Sequence, residues 1–175
     1  MRRLILLRHA KSDWASAGAR DEDRVLAPRG REAAPKIGAY IAHHGLIPDL
    51  VLCSPAARTR QTWDLAAQAL TPKPQVSYEP RLYGAGAEEL LRIATNTKSD
   101  VHTLLLVGHN PGLQDFAGLL IASGNIDARQ QLHDKFPTCG LAAIDFPIDD
   151  WRKVHARAGR LDRFIIPRSL ERATD

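Results

Sequence analysis

The sequence is poor in cysteine and aromatic residues and contains no long apolar run. Its two cysteines, Cys53 and Cys139, each lie in an apolar stretch rather than in a CxxC pair. This placement favours two buried free thiols over a structural disulfide, and a cytoplasmic location. No apolar run approaches the roughly 20 residues that span a bilayer, so we expect no membrane partner. The short apolar run near Met1 is interpreted as a buried strand, because no cleavage site for a signal peptide follows it.

Charge is moderate and evenly spread. The formal net charge is +4, but no dense Lys/Arg block alternates with aromatics, which make up only 6% of the residues. A nucleic-acid partner is therefore not expected, and the positive charge fits a solvated surface with an anion site. No His, Cys and acidic residues follow the spacing of metal ligands, so neither a metal nor a cofactor is expected. A chain of 175 residues with 44% hydrophobic content predicts a single domain over residues 1–175.

Strands and helices alternate along the chain. Leu4–Leu7, Leu50–Cys53 and Thr103–Val107 are continuous apolar runs of strand length, typical of a parallel sheet covered on both faces. Weaker patterns predict further strands at Leu141–Phe146, Leu161–Ile166 and Val76–Tyr78. Helices are predicted at Ala56–Leu70, at Ala87–Thr95, after Pro111, and around Ile37–Ile41 with Pro35 inside the pattern. Polar segments predict loops at Ser12–Arg24 and Gly124–Lys135. The prediction is an α/β fold, a three-layer α/β/α sandwich with a mostly parallel central sheet.

Charged and titratable residues follow the three apolar strands. The first strand leads into Arg8 and His9, the second into a segment that contains Arg58, and the third into His109. Ligands of open α/β sheets bind at the carboxyl ends of the strands, so these four side chains are expected to meet. Each alone is more often structural, and their convergence is what favours a functional site. Ser-Pro at 54–55 and Asn-Pro at 110–111 predict helix starts whose N–H groups face the same edge, as an anion site requires.

Three segments carry a family resemblance. The segments LRHAKSDW (7–14), CSPAARTRQT (53–62) and VGHNP (107–111) resemble, in order, the signature blocks of the histidine phosphatase superfamily. The resemblance runs from Arg3 to about Phe146. The RHAKSDW form, together with LY at 82–83 and KFPT at 135–138, is most similar to the SixA-like phosphohistidine phosphatases. This resemblance implies a phosphoglycerate mutase-like fold.

The resemblance also implies roles for the residues at the strand ends. His9 is expected to attack phosphorus and become transiently phosphorylated, with its other ring N–H held by a backbone carbonyl. Arg8 and Arg58 are expected to bind the phosphate oxygens, and a protonated His109 to donate to another. So much fixed positive charge makes a metal unnecessary, and a phosphate or sulfate ion is expected to bind there.

Other residues are weaker candidates. Lys11 and Ser12 are expected near the substrate, although a solvated lysine is an equal interpretation of Lys11. Many superfamily members have a glutamate general acid in a Leu-x-Glu context, but the matching stretch, 80–86, has no carboxylate. Glu79, Glu88 and Asp13 are possible substitutes. A poor general acid suits a good leaving group, and phosphohistidine is one.

The expected activity is therefore a metal-independent phosphatase whose partner is a phosphohistidine-containing protein domain. Two alternatives stay open. One is a small-molecule phosphatase or phosphoglycerate mutase of the same superfamily. The other is a non-catalytic phosphate-binding module. The intact nucleophile His9 argues against it, because arginines alone would be enough to bind phosphate.

Overall fold

The computed structural model of the protein describes residues 1–15, 18 and 20–172. Within them the strands are β1 (Arg2–Arg8), β2 (Leu50–Cys53), β3 (Gln75–Tyr78), β4 (Thr103–Gly108), β5 (Ile121–Gly124), β6 (Leu141–Phe146) and β7 (Gly159–Ile165). The helices are α1 (Pro28–His43), α2 (Ala57–Ala67), α3 (Ala87–Thr95), α4 (Gly112–Leu120), α5 (Ile126–Asp134) and α6 (Pro167–Arg172). Short 3-10 turns lie at Asp21–Asp23, Pro80–Leu82 and Trp151–Lys153.

The strands form one sheet in the order β3-β2-β4-β1-β6-β7-β5. The pairs β1–β4, β2–β4, β2–β3 and β5–β7 are parallel, whereas β6 runs antiparallel to both of its neighbours. The sheet is therefore mostly parallel, and the predicted fold class is confirmed. In β1 successive side chains alternate between two cores: Leu4 and Leu6 enter one, Ile5 and Leu7 the other. Both faces of this strand are buried, which explains its uninterrupted apolar sequence.

Helices cover both faces of the sheet. α1 and α2 pack over the core that contains Ile37 and Trp63, and α3 and α4 over the core that contains Phe116. α1 begins at Pro28, a position where the missing N–H costs nothing. Because α1 runs from Pro28 to His43, Pro35 lies inside the helix and does not end it. The crossovers bring α2 and α4 back to start at the carboxyl edge of the sheet, where the strand-end residues lie.

The loop predicted at Gly124–Lys135 is wrong. This segment completes β5 and then forms α5, which is polar and buries only Leu132. Its start is set by the Asn125 side chain, which accepts a hydrogen bond from the Ala128 N–H at 2.9 Å. A helix with a single buried residue shows no apolar period, so no helical pattern is detectable in this segment. In the described residues the segment Ser12–Arg24 is a loop, as predicted, apart from the 3-10 turn and one bridge from Ser12 to Leu26. Residues 16, 17 and 19 of this segment lie outside the described residues.

Both cysteines are free and buried, as predicted. Burial raises the pKa of the Cys53 thiol and of the Cys139 thiol to about 12. Neither thiol is a nucleophile at neutral pH. Among the described residues, no helix has the length and apolar character that a membrane crossing requires.

Candidate active site

The carboxyl ends of β1, β2 and β4 lie side by side, because β4 pairs in parallel with both of the others. His9 directly follows β1, and its backbone N–H donates to the Gly108 carbonyl of β4 at 3.1 Å. On its other side the Cys139 N–H donates to the His9 carbonyl at 2.9 Å. The backbone at His9 is thus fixed from both neighbouring segments.

The ring of His9 has a defined tautomer. Nδ1 lies 2.7 Å from the Ala10 carbonyl oxygen, and a carbonyl can only accept, so Nδ1 carries the proton. Nε2 therefore has a free lone pair. The Ala10 N–H in turn donates to the Thr62 hydroxyl of α2 at 2.9 Å, which fixes this carbonyl in place. The arrangement matches the one expected from the sequence.

His9 and His109 face each other with ring centroids 5.5 Å apart. Burial is the main cause that lowers the pKa of His9 to about 3 and that of His109 to about 4, with a smaller lowering by the nearby arginines. Both rings are consequently neutral at pH 7 in the protein without a bound anion. A neutral His9 is the form that can act as a nucleophile. A phosphate dianion beside His109 would raise its pKa and favour the protonated form expected from the sequence.

Arg8 is the last residue of β1 and points its guanidinium to the same edge. Its Nη1 donates to the Phe136 carbonyl at 2.9 Å, and the Asn110 side-chain amide donates to the same oxygen at 3.1 Å. Burial, and then the charge of Arg58, lower the pKa of Arg8. Arg58 is buried and Arg8 is half-buried, and two guanidinium groups that repel each other stabilise an anion placed between them.

Arg58 lies in the first turn of α2, as expected, and is 6% exposed. Its Nη1 donates to the Asp21 carbonyl oxygen at 2.8 Å and its Nη2 to the Asp21 carboxylate at 3.1 Å. The carboxylate also accepts from the Tyr83 hydroxyl at 2.5 Å and from Arg24 at 3.1 Å. The Tyr83 ring stands edge-on to His109 at 5.5 Å. Asp21 therefore joins Arg58, Arg24 and Tyr83 on one side of the site.

Sequence reasoning missed Asp21, Tyr83 and Arg24. Asp21 lies in a polar segment without periodicity, and its partners Arg58 and Tyr83 are 37 and 62 residues away in the sequence. No local pattern could have indicated these contacts. The hydrogen bond from Tyr83, followed by those from the arginines, holds the pKa of Asp21 well below its usual range. Its carboxylate is thus ionised and cannot donate a proton at neutral pH.

Ser54 does not cap α2, contrary to the expectation from its position before Pro55. The helix begins at Ala57 after Ala56, which offers no side-chain cap. Instead the Ser54 hydroxyl lies 2.8 Å from His109 Nε2. His109 Nδ1 is buried without a hydrogen-bond partner in the described part of the chain. A buried ring nitrogen of this kind is suited to an oxygen of a bound anion.

The three candidate general acids make local contacts or face solvent. Glu79 pairs with Arg81 at 3.0 Å, Glu88 is 91% exposed on its side chain, and Asp13 accepts from the Ala15 N–H at 2.8 Å. Among the described residues, no hydrogen bond or ion pair joins any of them to His9 or His109. Asp21 is the carboxylate that the structure brings to the site instead.

Lys11 and Ser12 differ in their surroundings. The Lys11 side chain is exposed, whereas Ser12 is buried and its hydroxyl accepts from Arg24. Neither is joined to His9 or His109 by a hydrogen bond in the described residues. In those residues there is also no group of three or more His, Cys, Asp or Glu side chains placed to hold a metal ion. The site consists of a neutral imidazole with a free lone pair, a second imidazole, the buried guanidinium of Arg58 and the half-buried guanidinium of Arg8.

Known proteins resemble this chain in sequence and in fold. The family model of the histidine phosphatase superfamily, branch 1, matches residues 4–110. An uncharacterised protein of Mycobacterium tuberculosis is 35% identical over 164 residues, which is 93% of this chain and all of that protein.

Two solved structures are similar over nearly the whole chain. One is a protein of Agrobacterium tumefaciens described as a candidate phosphohistidine phosphatase SixA; it is 33% identical, with a TM-score of 0.77 over 95% of this chain and 98% of that chain. The other, from Nakamurella multipartitia and described in the same way, is 30% identical with a TM-score of 0.81 over 95% and 96% of the two chains. The resemblance stated from the sequence motifs is confirmed.

Proposed function

The chain belongs to the histidine phosphatase superfamily, and on that basis we propose that it is a metal-independent phosphatase that removes phosphate from phosphohistidine in a protein. Members of this superfamily are phosphatases or mutases. The observation that carries the proposal is the tautomer of His9: donation from Nδ1 to the Ala10 carbonyl leaves the Nε2 lone pair for attack.

The first chemical step transfers the phosphoryl group to the protein. His9 Nε2 forms a bond to phosphorus while the bond from phosphorus to the substrate nitrogen breaks. Arg8 and Arg58 stabilise the charge on the phosphoryl oxygens, and His109 donates to one of them. The substrate imidazole leaves as a neutral ring when its distal nitrogen is protonated, so this step needs no carboxylic acid in the site.

The second step hydrolyses phosphohistidine on the protein. Water forms the new bond to phosphorus, the bond to His9 Nε2 breaks, and the ring returns to its neutral Nδ1–H form. The water proton ends on phosphate. Throughout the cycle the Ala10 carbonyl holds the Nδ1 proton, which stabilises positive charge on the phosphorylated ring.

Two features support a phosphatase of phosphohistidine over other superfamily activities. The solved structures at 33% and 30% identity carry the description phosphohistidine phosphatase. In addition, Asp21, the carboxylate that contacts Arg58, has a lowered pKa and is ionised. In the described residues, the carboxyl group at the site is therefore not the proton donor that an alkoxide leaving group requires.

The direct test is detection of the covalent intermediate. The wild-type protein, quenched during turnover of a slowly hydrolysed substrate, should carry acid-labile, base-stable phosphate on the peptide that contains His9. His9→Ala should lose on the order of 10³-fold or more in kcat and carry no such phosphate. His43→Ala, at the far end of α1 from the site, is the matched control and should keep full activity. Retention of activity by His9→Ala would refute the assignment of the nucleophile.

A further inference from the structure

The segment after His9 runs as a ribbon beside the segment that enters α1. Ser12 and Leu26 form an antiparallel bridge, the Asp13 N–H donates to the Val25 carbonyl at 2.8 Å, and the Ala27 N–H to the Lys11 carbonyl at 2.9 Å. The first turn of α1 is thereby attached directly to the loop of the nucleophile. Side chains on this ribbon and on the start of α1 therefore belong to segments that adjoin the nucleophile loop.

In the described part of the chain, three cations near this ribbon make no ion pair. Lys11, Arg29 and Lys36 line one cavity of about 270 Å³, together with Glu32 and Glu171. All three are exposed. Within the part of the chain that the structure describes, none of the three side chains makes an ion pair or a hydrogen bond. Other surface arginines, such as Arg92 and Arg152, do pair with nearby carboxylates.

The cavity also reaches the backbone that supports the nucleophile. Thr138 and Cys139 complete its lining, and the Cys139 N–H is the donor to the His9 carbonyl. The first turn of α1 contains no acidic residue, although acidic residues stabilise that end of a helix. The arrangement of charge is thus unfavourable for the isolated helix and favourable for an approaching anion.

An exposed tryptophan lies at the other end of the ribbon. Trp14 is 74% exposed, whereas Trp63 and Trp151 are 2% and 0% exposed. The Arg24 guanidinium holds it, with its carbon 3.5 Å from the ring centre. Arg24 in turn pairs with Asp21. An exposed tryptophan stacked on a cation is the composition typical of binding hot spots.

We propose that Lys11, Trp14, Arg29 and Lys36 form a docking strip for an acidic segment of the phosphoprotein, next to its phosphorylated side chain. The inference rests on the proposed function and specifies the chemistry of its substrate. Carboxylates of the substrate protein bind the three unpaired cations, and an apolar side chain packs on Trp14. The strip raises the encounter rate and lowers KM, without contact with the reacting atoms.

The test compares three substrates with the same leaving group. They are free phosphohistidine, a phosphohistidine peptide flanked by glutamates, and a peptide of equal length flanked by lysines. The wild-type protein should show kcat/KM about tenfold or more higher on the acidic peptide than on the basic one, with a difference that shrinks as salt rises. The double variant Arg29→Glu/Lys36→Glu should reverse this preference and leave free phosphohistidine unchanged. Lys73→Glu/Lys98→Glu is the matched control for charge and should behave as wild type.

Binding gives a second readout that does not depend on turnover. In the His9→Ala protein, the acidic peptide should change the fluorescence of the exposed Trp14, and Trp14→Phe should remove that change. Equal kcat/KM on the two peptides, with free phosphohistidine still hydrolysed, would overturn the docking strip alone. An equal loss on free phosphohistidine in the double variant would also overturn it, because the cations would then serve the phosphate pocket. Failure of the wild type on all three substrates would overturn the proposed function, and the docking strip with it.

Discussion

Asp21 shows how one side chain can organise several others. Its carboxylate accepts hydrogen bonds from Tyr83, Arg58 and Arg24, and its backbone carbonyl accepts another from Arg58. Because it is ionised, it supplies orientation and counter-charge rather than a proton. A guanidinium held at both terminal nitrogens loses little freedom when it binds phosphate, which favours a preorganised site.

Asp21→Asn should therefore reduce activity without unfolding the protein. The amide keeps the shape but loses the ionic hydrogen bonds to Arg58 and Arg24, and such bonds contribute about 1.5–3 kcal/mol. We expect kcat/KM to fall by roughly 10- to 100-fold. Steady-state kinetics would measure this, with Asp23→Asn, an exposed neighbour in the same 3-10 turn, as the control. Unchanged kinetics in Asp21→Asn would show that Arg58 needs no such support.

The lowered pKa of His9 predicts how stability depends on pH. Its pKa is about 3 in the folded protein and near 6.5 in an unfolded chain. Between these values the unfolded state binds more protons, so the free energy of unfolding rises with pH and is lost as the pH falls below about 6.5. At pH 4.5 this loss amounts to about 2–3 kcal/mol from His9.

His9→Gln isolates that contribution. Urea unfolding at pH 7 and at pH 4.5 gives the change in unfolding free energy for wild type and variant. The wild type should lose more stability over this interval than the variant, by about 2 kcal/mol. Equal losses would mean that His9 titrates normally in the folded protein.

At the scale of elements, the site depends on how closely α1 approaches the nucleophile loop. A Cβ built on Gly30 would lie 2.2 Å from the Lys11 carbonyl oxygen, so only glycine permits this contact. The contact sets the position of Lys11 and, through Ala10, of the carbonyl that fixes the His9 tautomer. A helix position that contacts only the nucleophile loop thus controls the geometry of the site.

Gly30→Ala should therefore lower stability by about 1–3 kcal/mol and lower kcat, although alanine is the better helix former. Gly118→Ala in α4 is the matched control, because a Cβ there meets nothing within 4 Å. It should raise stability by about 0.5–1 kcal/mol and leave kcat unchanged. Thermal unfolding and steady-state kinetics on both variants would decide. A Gly30→Ala protein as stable and active as Gly118→Ala would contradict the close packing.

The elements also show which parts of the fold a sequence can predict. The bounds of β2, β6 and α3 agree with those predicted, because each has an apolar pattern bordered by turn residues. β5 and α5 were missed because neither shows an apolar period: β5 is held by its pairing with β7, and α5 by the Asn125 cap and the burial of Leu132. In the site, His9 and His109 could be placed from the strand ends alone. Asp21 and Tyr83 could not, since their positions depend on long-range contacts.

At the scale of the whole molecule, the charge of the site comes from side chains. Arg8 and Arg58 lie where phosphate oxygens are expected, and their positive charge would stabilise those oxygens. In many phosphoryl-transfer enzymes a divalent metal has this function. Activity should survive dialysis against a chelator, and added Mg²⁺ or Zn²⁺ should not increase it. A loss on chelation that either ion restores would contradict metal independence.

The choice of substrate is the last prediction, and it depends on proton donors over the whole site. Glu79, Glu88 and Asp13 are engaged in local contacts, and Asp21 is ionised. Because the hydrogen bond to Asp21 raises the pKa of Tyr83, its phenol is a weak donor as well.

An alkoxide leaving group needs acid catalysis that typically contributes ~10²–10⁴-fold, whereas a neutral imidazole needs little. We therefore expect kcat/KM on phosphohistidine to exceed that on alkyl phosphates such as phosphoglycerates by at least about 10²-fold. Glu79→Gln, Glu88→Gln and Asp13→Asn should each leave both rates unchanged. Side-by-side kinetics at pH 7 would measure the ratio, and equal turnover of an alkyl phosphate would overturn the substrate assignment while leaving the role of His9 intact.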